Sequence, residues 1–259
     1  MSDYNTNSAT RFGSSGARAG VAVDQGLRAY MLRVYNYMAV GLAITGVAAW
    51  FIYTQSVTAD PALAVAKIGN IMLTDLGRTL FVSPLKWLVI FGPFAFVLVL
   101  SFGIQKLSAA TAQILFWVYA ATVGISLATI FMVYTHNSIV QVFFVTAASF
   151  GALSLYGYTT QRDLSPIGSF LIMGLFGVII ASIVNIWLAS TALQFIVSVI
   201  GVLVFAGLTA YDTQRIKEMY SEADDHDTAG RKAVMGALNL YLDFLNLFLM
   251  LLQLFGRRD

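Results

Sequence analysis

Charged residues are confined to a few short stretches of this chain. Residues 34–59, 87–105, 107–161 and 164–211 contain no Asp, Glu, Lys or Arg, and residues 233–256 contain only Asp243. About 20 apolar residues in a helix cross the hydrocarbon core of a bilayer. The first two stretches each suit one crossing and the next two each suit two. The 107–161 stretch divides at Thr135, His136, Asn137 and Ser138, and the 164–211 stretch near Ser190 and Thr191. The pattern predicts seven spans near 32–54, 86–105, 110–134, 139–159, 167–188, 192–214 and 232–255. These stretches are continuously apolar rather than alternating, which argues against a membrane β-barrel. The expected class is therefore all-α, a polytopic membrane protein with seven transmembrane helices.

Composition agrees with this reading and removes other classes. Of 259 residues, 58% are hydrophobic and 11% charged, whereas soluble domains carry about 25% charged residues. The net charge of +2 is too small for a phosphate-binding surface, so no nucleic-acid partner is expected. There is no cysteine for a disulfide, a thiolate metal site or a thiol nucleophile. Residues 1–28 are rich in Ser, Gly, Asn, Thr and Ala and are expected to be a disordered cytoplasmic tail. Residues 29–259 are expected to form the membrane domain.

Lys and Arg set the orientation. With the N-terminus in the cytoplasm, the inner side holds ten of them: Arg11, Arg18, Arg28, Arg33, Lys106, Arg162, Arg215, Lys217, Arg231 and Lys232. The outer side holds five: Lys67, Arg78, Lys86, Arg257 and Arg258. The longest outer segment is expected to carry a short surface helix within 62–76. The charged segment 213–232 is expected to be a solvated inner loop, since it lacks the spacing and turn glycine of an EF-hand. His136 and His226 are expected in water.

Two acidic residues lie within spans. Asp212 sits at the inner end of the sixth, and Asp243 well inside the seventh. An Asp at a helix centre costs about 2.5–3.5 kcal/mol on insertion scales, which makes it a functional candidate by default. Asn239, Asp243, Asn246, Met250 and Gln253 are spaced by 4, 3, 4 and 3 residues. They form one polar stripe on an apolar helix, suited to lining a pore or a helix contact. If the two carboxylates meet in a low dielectric, they cannot both ionise cheaply and share a proton. That makes a pH-sensitive latch. With amides and water, the pair is also a weak oxygen site for Ca²⁺. A proton-sharing pair of aspartates also occurs in intramembrane proteases. There the second Asp follows Gly-x-Gly, whereas Asp243 follows Leu240, Tyr241 and Leu242, so no enzyme is expected.

Three blocks carry a family resemblance. Residues 207–217 read Gly-Leu-Thr-Ala-Tyr-Asp-Thr-Gln-Arg-Ile-Lys. Residues 150–165 read Phe-Gly-Ala-Leu-Ser-Leu-Tyr-Gly-Tyr-Thr-Thr-Gln-Arg-Asp-Leu-Ser. Residues 240–248 read Leu-Tyr-Leu-Asp-Phe-Leu-Asn-Leu-Phe, and the chain ends Leu-Phe-Gly-Arg-Arg-Asp. Together they resemble the Bax inhibitor (transmembrane BAX inhibitor motif) family over residues 28–259. The resemblance implies a seven-helix bundle with the seventh helix enclosed by the other six. It also implies a bacterial inner membrane and a pH-sensitive calcium leak gated by an aspartate pair. By motif position the pair is Asp212 and Asp243. The polar stripe read from spacing, with Asn239, Asn246 and Gln253, is expected to line the pore. The partners implied are the bilayer, Ca²⁺ and H⁺, with Ca²⁺ as transported ion and no tightly bound cofactor. Some relatives instead regulate, or are substrates of, a membrane-bound protease, which gives a second reading as an interaction protein.

Overall fold

A computed structural model describes the backbone of residues 8–258 and the side chains of residues 25–258. Seven helical segments are long and apolar enough to cross a membrane: Gln25–Ser56, Lys86–Lys106, Ala109–Val133, His136–Thr159, Ser165–Leu188, Thr191–Glu218 and His226–Phe255. They fall where the charge-free stretches predict spans. The first belongs to helix α1, Ser8–Ser56. The tail expected at 1–28 thus lies partly outside the described residues. Its last four residues, 25–28, are helical, and Leu27 packs against the core.

Polar residues at the turns start the next helix. Ser108, Thr135 and Ser190 accept hydrogen bonds from the amides of Thr111, Ser138 and Leu193, so short polar breaks also cap helices. These caps begin α4 (Ala109–Leu127), α6 (His136–Thr159) and α8 (Thr191–Glu218). Helices α3 (Lys86–Gly103), α5 (Ile130–Val133), α7 (Ser165–Leu188) and α9 (His226–Phe255) complete the set with α2 (Asp75–Phe81).

The segment after α1 departs from expectation. In place of a helix within 62–76 there is a small antiparallel sheet of β1 (Val57–Thr58), β2 (Ala66–Ile68) and β3 (Ile71–Leu73), in the order β1-β3-β2. Ile68 pairs with Ile71 across Gly69 and Asn70, and Gly69 has φ +58°. A two-residue hairpin turn needs this backbone at its first position, which glycine adopts without strain. Helix α2 begins only at Asp75, capped by Thr74.

The most buried span is α9: 67% of its most apolar stretch is buried, against 6% for α3. Its main neighbours are α1, α4, α6 and α8. The enclosure by six helices implied by the resemblance is therefore reduced to four principal neighbours. Helix α3 packs mainly on α4, and α7 mainly on α8. Gly174 of α7 takes Val204 of α8 against its backbone, while Gly177 meets nothing. Side chains such as Phe102, Ile186 and Trp187 point outward, where lipid is the solvent.

Candidate functional site: a carboxylate pair between the last two helices

Helices α8 and α9 run antiparallel in a readable register. Ile216 lies on Gly236, and Met250 lies on Gly201. Ser198 donates to Gln253 Oε1 at 2.8 Å. Between these contacts, the carboxyl groups of Asp212 and Asp243 come within hydrogen-bonding reach of each other.

Two local features make this meeting possible. Helix α8 continues past Arg215 to Glu218, and α9 starts at His226, so the connection is much shorter than the 213–232 loop expected. Lys232 Nζ also bonds the carbonyl of Met219 at 3.0 Å and Asp224 at 2.6 Å. The first turns of α9 therefore project beyond the end of α8. This brings Asp212 and Asp243 to within about one helical turn of the same depth.

Asp243 is 5% exposed, and its Oδ2 has no N–H or O–H donor among the described residues. Its approach to Asp212 becomes a hydrogen bond only when one of the two carries a proton. Asp212 is half-buried, and Arg215 follows it about one turn further along α8. Among the described residues no three His, Cys, Asp or Glu side chains cluster as a metal site.

The polar stripe divides into separate contacts. Asn239 is half-buried. Asn246 Nδ2 donates to Leu242 O of its own helix at 2.8 Å. Gln253 is exposed and borders a cavity of about 390 Å³ with Ser182, Asn185 and Gln194. Met250, seated on Gly201, fills the seam between Asn246 and this cavity. Asn185 bonds locally, at the end of its own helix. Its Oδ1 accepts from the Ser190 amide at 3.0 Å, across the turn where Ala189 has φ 47°.

Sequence reasoning missed the hydroxyl and amide groups that hold α8 to its neighbours beside Asp212. Tyr35 Oη meets Ser154 Oγ at 2.6 Å, and Ser154 meets Thr213 Oγ1 at 2.9 Å, joining α1, α6 and α8. Thr213 also donates to Thr209 O at 2.7 Å. Gln214, 5% exposed, accepts from Leu164 N and donates to Arg162 O, both at 2.8 Å. It pins the α6–α7 connection to α8 two residues from Asp212. The available signal was the hydroxyl and amide residues directly after Asp212. An amide on the inner helix face satisfies backbone groups that lipid cannot. Gln214→Leu leaves the buried Leu164 amide and the Arg162 carbonyl without this partner. A destabilisation of about 1–3 kcal/mol is expected, read as a lowered unfolding midpoint in detergent.

The fold and the site together define a polytopic helical membrane protein with a buried carboxylate pair between its last two helices. The chain belongs to the family described as inhibitor of apoptosis-promoting Bax1, whose model matches residues 27–259. It is 47% identical to the inner membrane protein YbhL of Escherichia coli K12 over 235 residues, covering 90% of this chain and 93% of that protein. It is 43% identical over 257 residues to an uncharacterized protein of Caulobacter vibrioides, covering 99% and 98% of the two chains. An uncharacterized protein of Rickettsia prowazekii is 44% identical over 235 residues, covering 91% and 92%.

Proposed function

We propose that this protein is a slow, pH-modulated cation leak with Ca²⁺ as its cargo, acting in a bacterial inner membrane with its N-terminus in the cytoplasm. The observation that carries this reading is Asp243, a carboxylate buried inside a membrane helix and faced by Asp212. Burial at that depth is costly, and an asparagine would pack there at lower cost. Holding one proton, the pair is a hydrogen-bonded link between α8 and α9. With both groups ionised, it repels itself or holds a cation through hard oxygen ligands. The site is weak by design, because an ion held tightly does not leave. The inner-membrane location is carried over from the name of the Escherichia coli relative, and the orientation rests on the excess of Lys and Arg on one side.

The test is Ca²⁺ entry into dye-loaded liposomes containing the purified full chain, scanned from about pH 6 to about pH 8, since a carboxylate pair that shares a proton responds to pH. Wild-type flux is expected to change with pH over this range. Asp212→Asn and Asp243→Asn are each expected to abolish that dependence. Flux equal to that of empty liposomes at every pH overturns the leak, and unchanged pH dependence in both variants overturns the gate.

A further inference from the structure

An apolar cavity lies away from the carboxylate pair. It is a groove of about 670 Å³ between α1 and α6, floored by Phe244, Leu245 and Phe248 of α9. Its walls are almost wholly apolar, and Val47 of α1 and Val140 of α6 on its two sides are exposed. Beyond one end, past Met38 and Phe150, the Tyr35–Ser154 hydrogen bond ties α1 to α6. At the other end, the rings of Trp50, Tyr53, Phe131 and His136 pack with centroids 5.5–5.9 Å apart.

The C-terminal arginines lie at this second end. The Thr135 amide donates to Arg257 O at 3.0 Å, and the Arg257 amide donates to Ser138 Oγ at 2.9 Å. The Arg258 guanidinium sits over the Tyr134 ring at 5.8 Å. Both arginine side chains are exposed, and neither has a carboxylate partner among the described residues. The positive end of the α6 dipole points the same way, since α6 starts at His136. By the charge count these two arginines fall on the outer side, against the usual bias toward the inner one.

We propose that this groove is a binding site for one anionic phospholipid, with an acyl chain lying along α9 and the phosphate held at Arg257 and Arg258. Length identifies the occupant. Along α6 the groove runs from Ile139 to Phe150, about 16 Å at the helical rise per residue. That is one leaflet of a hydrocarbon core about 30 Å thick. A helix from a second copy would cross both leaflets, whereas the groove ends at Phe150, one turn before the Tyr35–Ser154 bond. The chemistry agrees along its length: apolar walls at chain depth, amphipathic rings at headgroup level, and guanidinium groups for a phosphate at the end. Because Phe244 and Asp243 are adjacent on α9, the lipid rests on the helix that carries the buried carboxylate.

The site is tested by native mass spectrometry of the full chain in mild detergent. It is equilibrated with phosphatidylglycerol or phosphatidylethanolamine of identical acyl chains. Wild type is expected to retain one phosphatidylglycerol in preference to phosphatidylethanolamine by about thirtyfold, the effect of two arginines on an anionic headgroup. The double variant Arg257→Gln, Arg258→Gln lies at the exposed chain end and leaves the bundle core untouched. It is expected to lose the headgroup preference. Ala147→Phe, which fills the groove from α6, is expected to lose retention of either lipid. Equal retention of both lipids by wild type overturns the proposal, as does a preference that survives loss of both arginines. A wild-type dimer without lipid, split by Ala147→Phe, overturns it in favour of a second copy. Ca²⁺ flux does not enter any of these readouts, so the site stands or falls apart from the leak.

Discussion

Tyr241→Ala is expected to destabilise the bundle by about 3 kcal/mol, at the low end of the range for removing a buried aromatic ring. Tyr241 is 0% exposed on the face of α9 turned toward α1 and α4. Its ring meets Phe116 edge-on at 5.5 Å and Tyr119 at 5.8 Å. Its hydroxyl meets Thr45 Oγ1 at 2.6 Å, and Thr45 is also within bonding distance of the carbonyls of Gly41 and Ala120, at 3.0 and 2.9 Å. One side chain therefore ties three helices together. In water, part of the cost would be lost transfer of the ring from solvent. In lipid that part nearly vanishes, because acyl chains are as apolar as the core. What remains is the cavity and the lost contacts, which places the cost at the low end. Tyr241→Phe keeps the ring and removes only one interhelical hydrogen bond, for an expected cost of about 0.6 kcal/mol. Unfolding in a detergent series separates the two. Equal effects would mean that the hydroxyl, not the packing, holds α9 in place.

Gly157→Leu is expected to prevent a stable bundle. A Cβ on Gly157 of α6 would fall on the carbonyl oxygen of Ala210 in α8, so the two backbones are in direct contact there. Overpacking ordinarily costs about 1–3 kcal/mol because side chains can shift. Here the obstacle is helix backbone, which moves only by separating the helices, and the cost rises to the top of that range or above it. Separation would also pull Ser154 from Thr213, next to Asp212. Gly157→Ala introduces the same clash with the least volume. It is expected to fold with a lowered midpoint and to disturb the Asp212 side of the pair. An unchanged midpoint for Gly157→Ala, measured as for Tyr241, would show that the crossing is looser than described.

The spans were legible because a bilayer imposes a simple rule on sequence. A segment of sufficient length without charge has few other places to go, and each break before α4, α6 and α8 carries a capping Ser or Thr. The hairpin at Gly69 and Asn70 was equally present in the sequence. It was misread because short apolar runs do not distinguish strand from helix. Helix depth was harder. Counting from predicted helix ends put Asp212 and Asp243 at different levels, since charged residues near Lys232 look like loop even when they extend a helix past the interface.

By itself the sequence determined the class of protein, the number of crossings and the two carboxylates set among apolar neighbours, because charge is too costly in lipid to be placed casually. It also marked one polar face on the last helix. Only the tertiary structure decided that the carboxylates meet and that the polar face divides between a helix seam and a separate cavity. It alone decided that four neighbours rather than six supply the main contacts of α9, and that α1 and α6 stand apart to leave a groove. The physical reason is that burial cost depends on each residue alone, whereas register and spacing between helices depend on pairs such as Gly157 with Ala210 and Gly236 with Ile216. Those pairs are far apart in the chain, and no periodicity within one helix reveals them.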